Sequence, residues 1–350
     1  MARIAVAGAG AIGASVAYHL ALLGARNVIL VDRREVAGGA TAKGMGGVRQ
    51  QFSTPAEVRL AQASIRFFEE LGAPYFEQVG YLFLATTEAG LETLEERRRV
   101  QADLGVPVER VDASFAGGLE VGDVVGAVFC ATDGVGDPPA VTQEFVGRAR
   151  DLGVEVREGV DLAEVEADVR VIACGAWSAE AAAALGVELP VRPLVRQLIL
   201  TSAIPELPAD LPMTIELETG FHFRRRGAAL VLAMHDPAPR WGWEESVDES
   251  LLPDRLERLG RRYPPAVGAQ VDRAWAGLYD MTPDAHPIIG QIAAGVYAAC
   301  GFSGHGFMQS PAVGRALAEE ILEGGSSLDL SDYRLERFAE GAVFPENVIL

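Results

Sequence analysis

Cysteine is scarce in this chain. Cys130, Cys174 and Cys300 are the only three in 350 residues, and their separation matches no metal-ligand spacing. An odd, unpatterned count suits a reducing compartment rather than a disulfide scaffold. An iron–sulfur cluster, which normally takes about four thiolates, is excluded for the chain acting alone. Basic residues are few as well: 30 Lys and Arg against 49 Asp and Glu leave a net charge of −19. Nucleic acid and anionic membrane surfaces attract the opposite balance, so neither is expected as a partner. No run reaches the ~18 apolar residues that a membrane span needs. The apolar N-terminus carries Gly8, Gly10 and Gly13, which break a signal-peptide core, and a cytoplasmic protein is expected. Apolar residues make up 49% of the chain, enough for a large core and, at this length, about two domains.

Residues 3–7 predict a short buried strand, 14–24 an apolar helix ending at Gly24, and 27–32 a second buried strand. Together they read as a βαβ unit. A glycine-rich loop covers 36–47, and helices are expected from Pro55 and over 88–104, the latter a charged, solvated face. Asp137 caps a helix that starts at Pro138, and VEVRE and VRVIACG read as strands of a parallel sheet. VYAACG is a further strand, and Ser310–Pro311 is expected to open a helix running to Gly324. Between these pieces, short β-type runs (YLFLAT, LVRQLILT, GFHFRR, ALVLAM) alternate with proline-bearing loops. The expected fold class is α/β, with a Rossmann-type domain built from 1–78, 138–190 and 276–350. A mixed, mainly antiparallel substrate domain carrying helices is expected from 79–137 and 191–275.

Gly8-Ala9-Gly10-Ala11-Ile12-Gly13 follows the first strand and opens the first helix. The first glycine permits the tight turn, the second lets a pyrophosphate approach the backbone, and the third lets helix and strand pack closely. The helix N-terminus adds unpaired amides and a positive dipole end. Asp32 ends the second strand where an acid binds ribose hydroxyls, which disfavours a 2′-phosphate and hence NADP. Arg33 and Arg34 either stack on adenine or face solvent. NAD and FAD share this unit, so the motif alone leaves both open.

The motif, ATAKGMGGVRQQF at 40–52, VIACGAWS at 171–178, Thr282-Pro283-Asp284 with His286-Pro287-Ile288-Ile289-Gly290, and GFSGHGF at 301–307 occur in this order. Together they resemble the D-amino-acid-oxidase superfamily of FAD enzymes. The likeness is strongest to the β-type subunits of sarcosine oxidase and of dye-linked proline dehydrogenase, and it covers nearly the whole chain. It implies FAD lined by Gly8, Gly10, Ala11, Ile12, Gly13, Asp32, Arg33, Arg34, Ala40, Thr41, Lys43, Gly44, Met45, Val160, Ala173, Gly175 and Trp177. It further implies that Gly301, Phe302, Ser303, Gly304, His305, Gly306, Phe307 and Met308 lie against the flavin. The β-meander usual between the strands at 154–157 and 169–173 is reduced here to EGVDLAEVEAD.

Flavin-dependent amine oxidation needs a positioned Cα–H, an anchored carboxylate and stabilisation of charge on the reduced ring. Arg49 is the candidate anchor, able to hold a carboxylate through two charge-assisted hydrogen bonds; the competing reading is a loop-stapling arginine. His305 is read as structural through its ring, with its backbone at the flavin. Tyr279 stands where glycine and D-amino-acid oxidases carry an arginine. Met308 replaces a lysine of monomeric sarcosine oxidases, Gly277 their flavin-linking cysteine and Val231 the position near their oxygen-activating lysine. His235 matches a histidine of that group. Non-covalent FAD is therefore expected, with O2 or another electron acceptor as the oxidant. Tyr279, His222, His235, Trp241 and Trp243 are candidate pocket residues. The function this implies is hydride transfer from the C–N carbon of a sarcosine-, proline- or D-amino-acid-like substrate to flavin N5, giving an imine that hydrolyses. Oxidation of a 2-hydroxy acid, a flavin subunit active only with a partner chain (a homo- or hetero-oligomer) and an NAD-dependent dehydrogenase are the rivals.

Overall fold

The computed structural model describes residues 2–346. Its first sheet has six strands in the order Ile288–Ala293, Val296–Cys300, Val169–Ile172, Ile4–Ala7, Val28–Asp32, Glu155–Glu158. Neighbours are parallel except the first pair. The register sets Ile4 beside both Val28 and Val169, so the ends of three strands reach one edge together. The central strands Ile4–Ala7 and Val28–Asp32 are near-continuous apolar runs because both faces of the sheet are covered there, while the edge strand Glu155–Glu158 is charged.

Helices α2 (Pro55–Leu71), α3 (Glu88–Asp103) and α4 (Pro138–Asp151) follow the predicted starts, whereas α1 (Ala11–Leu22) begins three residues before the expected 14 and takes in Gly13. Thr54, Thr87 and Asp137 accept the amides of Glu57, Gly90 and Ala140, which fixes each N-terminus. Helix α1 is buried along almost its whole length, between α4 and a C-terminal helix described below. Its glycine and alanine content permits that close packing.

A second sheet carries nine strands. Tyr81–Ala85, Val108–Val111 and Gly126–Cys130 form one side, and Met213–Glu216, His222–Arg226, Ala229–Ala233, Arg192–Thr201, Arg240–Trp241 and Val271–Met281 the other. The two sides meet where Tyr81–Ala85 runs parallel to Met213–Glu216. Every other pairing in this sheet is antiparallel. The long pair Arg192–Thr201 with Val271–Met281 forms the roof over the cavity described next. Helix α5 (Ser178–Ala183) packs beside the strand Val169–Ile172 of the first sheet, and α6 (Leu252–Arg262) beside Ala229–Ala233 of the second.

The C-terminal helix also starts earlier than expected. Helix α7 spans Gly306–Glu323, starting four residues before Ser310, with Pro311 inside it. Proline removes the amide that would reach the Phe307 carbonyl. The Ser310 hydroxyl donates to that carbonyl at 2.8 Å instead, so the turn survives. Between Glu155–Glu158 and Val169–Ile172 stands only a short 3₁₀ turn, Leu162–Glu164, closed by a capping box from Asp161.

Candidate active site

A cavity of about 770 Å³ runs from the edge of the first sheet to the underside of the second. Its near end is the glycine turn. Gly8 has φ +99°, and a Cβ there would lie 2.2 Å from the Ala173 carbonyl oxygen, so only glycine fits. Gly8, Gly10, Ala11 and Ile12 line the cavity, as do Asp32, Arg33 and Arg34. Gly13 does not line it; it packs against the Gly8 carbonyl, the helix–strand contact assigned to the third glycine.

Asp32 is held by two backbone amides, from Ala9 at 2.7 Å and from Arg34 at 2.8 Å. Arg33 pairs with Asp161, and the Arg34 guanidinium lies 4.5 Å from the Trp177 ring centre. Both arginines line the cavity and are at the same time exposed to solvent. Ala40, Thr41, Lys43, Gly44 and Met45 line the middle of the cavity, and Thr41 Oγ1 accepts the Ala11 amide at 3.2 Å. Val160, Ala173, Gly175 and Trp177 line the facing wall. Lys43 also pairs with Glu245, and Trp243 packs on Trp177 with centroids 5.5 Å apart. The loop after Arg240–Trp241 thus straps the second sheet to the nucleotide end. Trp241 and Trp243 are outside the cavity and largely exposed, so the expectation that they shape the pocket is corrected. Trp241 covers Arg192 instead, 4.7 Å from its guanidinium carbon.

At the far end the strand Val296–Cys300 gives way to a loop and then to α7. Phe302, Gly304, His305, Gly306, Phe307 and Met308 line the cavity; Gly301 and Ser303 do not. The latter two turn toward Asp280, whose carboxylate accepts the Gly301 amide at 2.7 Å and whose carbonyl accepts the Ser303 amide at 3.2 Å. Gly304 has φ +99°, and a Cβ would sit 2.4 Å from the Tyr279 ring. Any side chain there would displace the tyrosine. Burial raises the Asp280 carboxyl to about 6 against the pull of the backbone amides.

Arg49, Tyr279, His235 and Met308 all reach this end. Arg49 is 1% exposed. Its guanidinium donates to the Gln51 carbonyl, lies 4.0 Å from the Phe52 ring centre and approaches His305 Nε2 at 3.3 Å. Burial lowers its pKa, and Glu346 and Asp133 act in the opposite direction. Asp133 fixes this loop from behind, accepting from the Gln50 amide at 2.9 Å and from Gln51 Nε2 at 3.0 Å. His222 also lines the cavity; its Nδ1 is 2.8 Å from the Gly220 carbonyl. A carbonyl only accepts, so Nδ1 carries the proton and Nε2 is left as an acceptor. Burial holds its pKa near 4, assisted by the charges of His235, Arg196 and Arg49. Gly277 stands in the roof, so no thiol is present at that position.

Tyr81, Met213 and Arg196 are among the lining residues that the sequence reading does not single out. Tyr81 and Met213 belong to runs indistinguishable from core strands. Arg196 carried a signal, as the only charge within the six-residue stretch VRQLIL. The lining also suits the cofactor that the motif implies. Backbone free of side chains faces the cavity at Gly8 and Gly10, and an oriented acid stands beside it. Among the described residues no group of His, Cys, Asp or Glu is arranged to hold a metal ion, and no helix is long and apolar enough to cross a membrane.

Comparison with known proteins agrees with this geometry. The FAD-dependent oxidoreductase domain-containing protein 1 of Xenopus laevis is 28% identical, over 96% of this chain and 82% of that protein. The 4-methylaminobutanoate oxidase (formaldehyde-forming) of Paenarthrobacter nicotinovorans is 26% identical over 96% of this chain, which spans 46% of that longer protein. Among solved structures, L-proline dehydrogenase from P. horikoshii superposes with a TM-score of 0.91 at 27% identity, covering 98% of this chain and 99% of that one. The profile of the FAD dependent oxidoreductase (DAO) family matches residues 3–320, and the chain belongs to that family of FAD enzymes.

Proposed function

We propose that this chain oxidises the C–N bond of a small amino acid or secondary amine of sarcosine, proline or D-amino-acid type, with FAD held non-covalently. The observation that carries the reading is the end of the cavity at Tyr279, where Arg49, His222 and the N-terminus of α7 converge. Relatives named for oxidation of methylated or cyclic amines, including dimethylglycine dehydrogenase and L-proline dehydrogenase, support it. FAD, when bound, accepts the hydride that leaves the amine-bearing carbon.

The protein's own groups do the rest. Arg49 binds the substrate carboxylate from the loop after the glycine-rich segment. His222, with a pKa near 4, is too weak a base to keep a proton at neutral pH. Its Nε2 serves as a hydrogen-bond acceptor for the substrate nitrogen and so orients the lone pair. The N-terminal amides of α7 favour negative charge at its mouth. Leu198, Met213 and Met308 exclude water from the reacting carbon. The imine formed is hydrolysed by water, and electrons pass on to O2 or another acceptor. The cofactor domain in this reading comprises 1–78, 138–190 and 276–350, and the substrate domain 79–137 and 191–275.

The test is the visible spectrum of the purified protein, recorded anaerobically before and after sarcosine, L-proline and D-amino acids in turn. Bleaching by one of them supports the proposal. Bleaching only by 2-hydroxy acids, or only after a partner chain is added, overturns it.

A further inference from the structure

The reacting end of the cavity is cationic in a strongly acidic chain. The guanidiniums of Arg49 and Arg196 line it, beside the neutral His222. The carboxylates among the lining residues are Asp32, Asp161 and Asp280, and each is already occupied. Asp32 holds two backbone amides, Asp161 holds Arg33 and the Ala163 amide, and Asp280 holds the Gly301 amide.

Arg196 is the unbalanced charge. It lies in the strand Arg192–Thr201, directly opposite Gly277, while its neighbour Leu194 lies opposite Tyr279. Residues two apart share a face, so Arg196 and Tyr279 are diagonal neighbours on the cavity side of the roof. The guanidinium carbon is 5.7 Å from the Tyr279 ring centre. Among the described residues the Arg196 side chain makes no hydrogen bond or ion pair, and its buried Nε has no acceptor. A guanidinium has five donors, and burying one unmet costs free energy that an anionic ligand recovers. Arg49, by contrast, already packs on Phe52 and donates to Gln51. Both arginines line the same cavity as Tyr279 and His222.

We propose that the substrate is a dianionic amine, an amino acid carrying a second acid group, and that Arg196 binds this second group while Arg49 holds the first. Arg196 is thus a specificity-determining residue. A simple amine or a monocarboxylate leaves one guanidinium unmatched, whereas a dicarboxylate neutralises both. This inference rests on the amine-oxidation reading for the identity of the reacting bond, and its test does not depend on turnover.

The oxidised, FAD-loaded protein is titrated with non-oxidisable acids, acetate and propionate against malonate and succinate, following the flavin absorbance. The expected result is at least tenfold tighter binding of a dicarboxylate than of the monocarboxylates. In Arg196→Gln that ratio falls toward one, and in Arg196→Lys, which keeps the charge, part of it returns. A ratio near one in the unaltered protein overturns the proposal whatever the variants do, as does an unchanged ratio in Arg196→Gln. Should Arg196→Gln lose flavin, Arg196→Met, which preserves the stem, takes its place with the same expectation. If the ratio behaves as expected but no amine bleaches the flavin, the dianion chamber stands and the amine reading falls.

Discussion

One oxygen of the Asp32 carboxylate accepts the Ala9 amide at 2.7 Å, tying the end of the second strand to the turn after the first. The other accepts the Arg34 amide at 2.8 Å. The acid is therefore aimed before any nucleotide arrives. Asp32→Asn removes the charge and one acceptor while keeping the size. A charge-assisted hydrogen bond contributes about 1.5–3 kcal/mol, so FAD affinity should fall roughly 10- to 150-fold. Fluorescence quenching of added FAD by apoprotein measures it. An unchanged Kd removes Asp32 from the nucleotide site.

The nucleotide half of the cavity was legible because its chemistry is local. Gly8 to Gly13 and Asp32 are one strand–turn–helix, and spacing alone places them. The substrate half was legible only in part. Arg49 sits beside a recognisable glycine run, but Arg196 and Tyr279 meet through the register of two strands some 80 residues apart, which no local pattern encodes. Trp241 and Trp243 were misjudged for the opposite reason: large aromatics are usually buried, and here they cover Arg192 and Trp177 from outside. The start of α7 was misplaced because proline usually opens a helix, and the Ser310 hydroxyl that rescues an interior one leaves no sequence rule behind.

Arg49 carries a prediction of its own. With its face on Phe52 and one edge toward His305, Arg49→Ala removes both a charge and a packing partner. KM for a carboxylate-bearing amine should rise by about 10- to 150-fold, the equivalent of 1.5–3 kcal/mol, with a smaller change in kcat. Arg49→Lys keeps the charge without the fork and should recover only part of the loss. Steady-state kinetics with a carboxylate substrate and with its decarboxylated amine separates the effects. An Arg49→Ala enzyme of unaltered KM assigns the residue to loop stapling.

His222 makes acid stability testable. Its folded pKa of about 4 lies below the unfolded value of 6.5. Between these two values the unfolded chain binds the proton and the folded one does not, so stability is lost as pH falls from 6.5 toward 4. The contribution at pH 4.5 is on the order of 2–3 kcal/mol. Asp133 and Asp280, both raised to about 6, work in the opposite sense over much of that range, so only a comparison of variant and parent isolates the histidine. Urea midpoints at pH 7 and pH 4.5 should show a smaller acid loss for His222→Gln than for the parent. Equal losses place the folded pKa of His222 near its ordinary value.

The last prediction concerns the Thr282-Pro283-Asp284 segment, which the sequence offered as a signature without a reason. Asp284 accepts from Arg337 Nε at 2.8 Å and Nη2 at 3.0 Å, with both side chains buried. Arg337 also donates to the His286 carbonyl at 2.8 Å, and the Thr282 hydroxyl donates to the same oxygen at 2.7 Å. The motif thus pins the C-terminal segment to the strand that ends the first sheet. Removing one partner of such a pair strands a buried charge. Arg337→Met should therefore destabilise the fold by about 3–5 kcal/mol. Asp284→Asn combined with Arg337→Met removes both charges and should recover a substantial part of that loss, a coupling read from a double-mutant cycle in urea. Substrate affinity per folded, flavin-loaded molecule should change little, because neither residue lines the cavity. Additive losses in the cycle leave Arg337 acting through packing on Phe338, 4.0 Å from its guanidinium carbon, rather than through the ion pair.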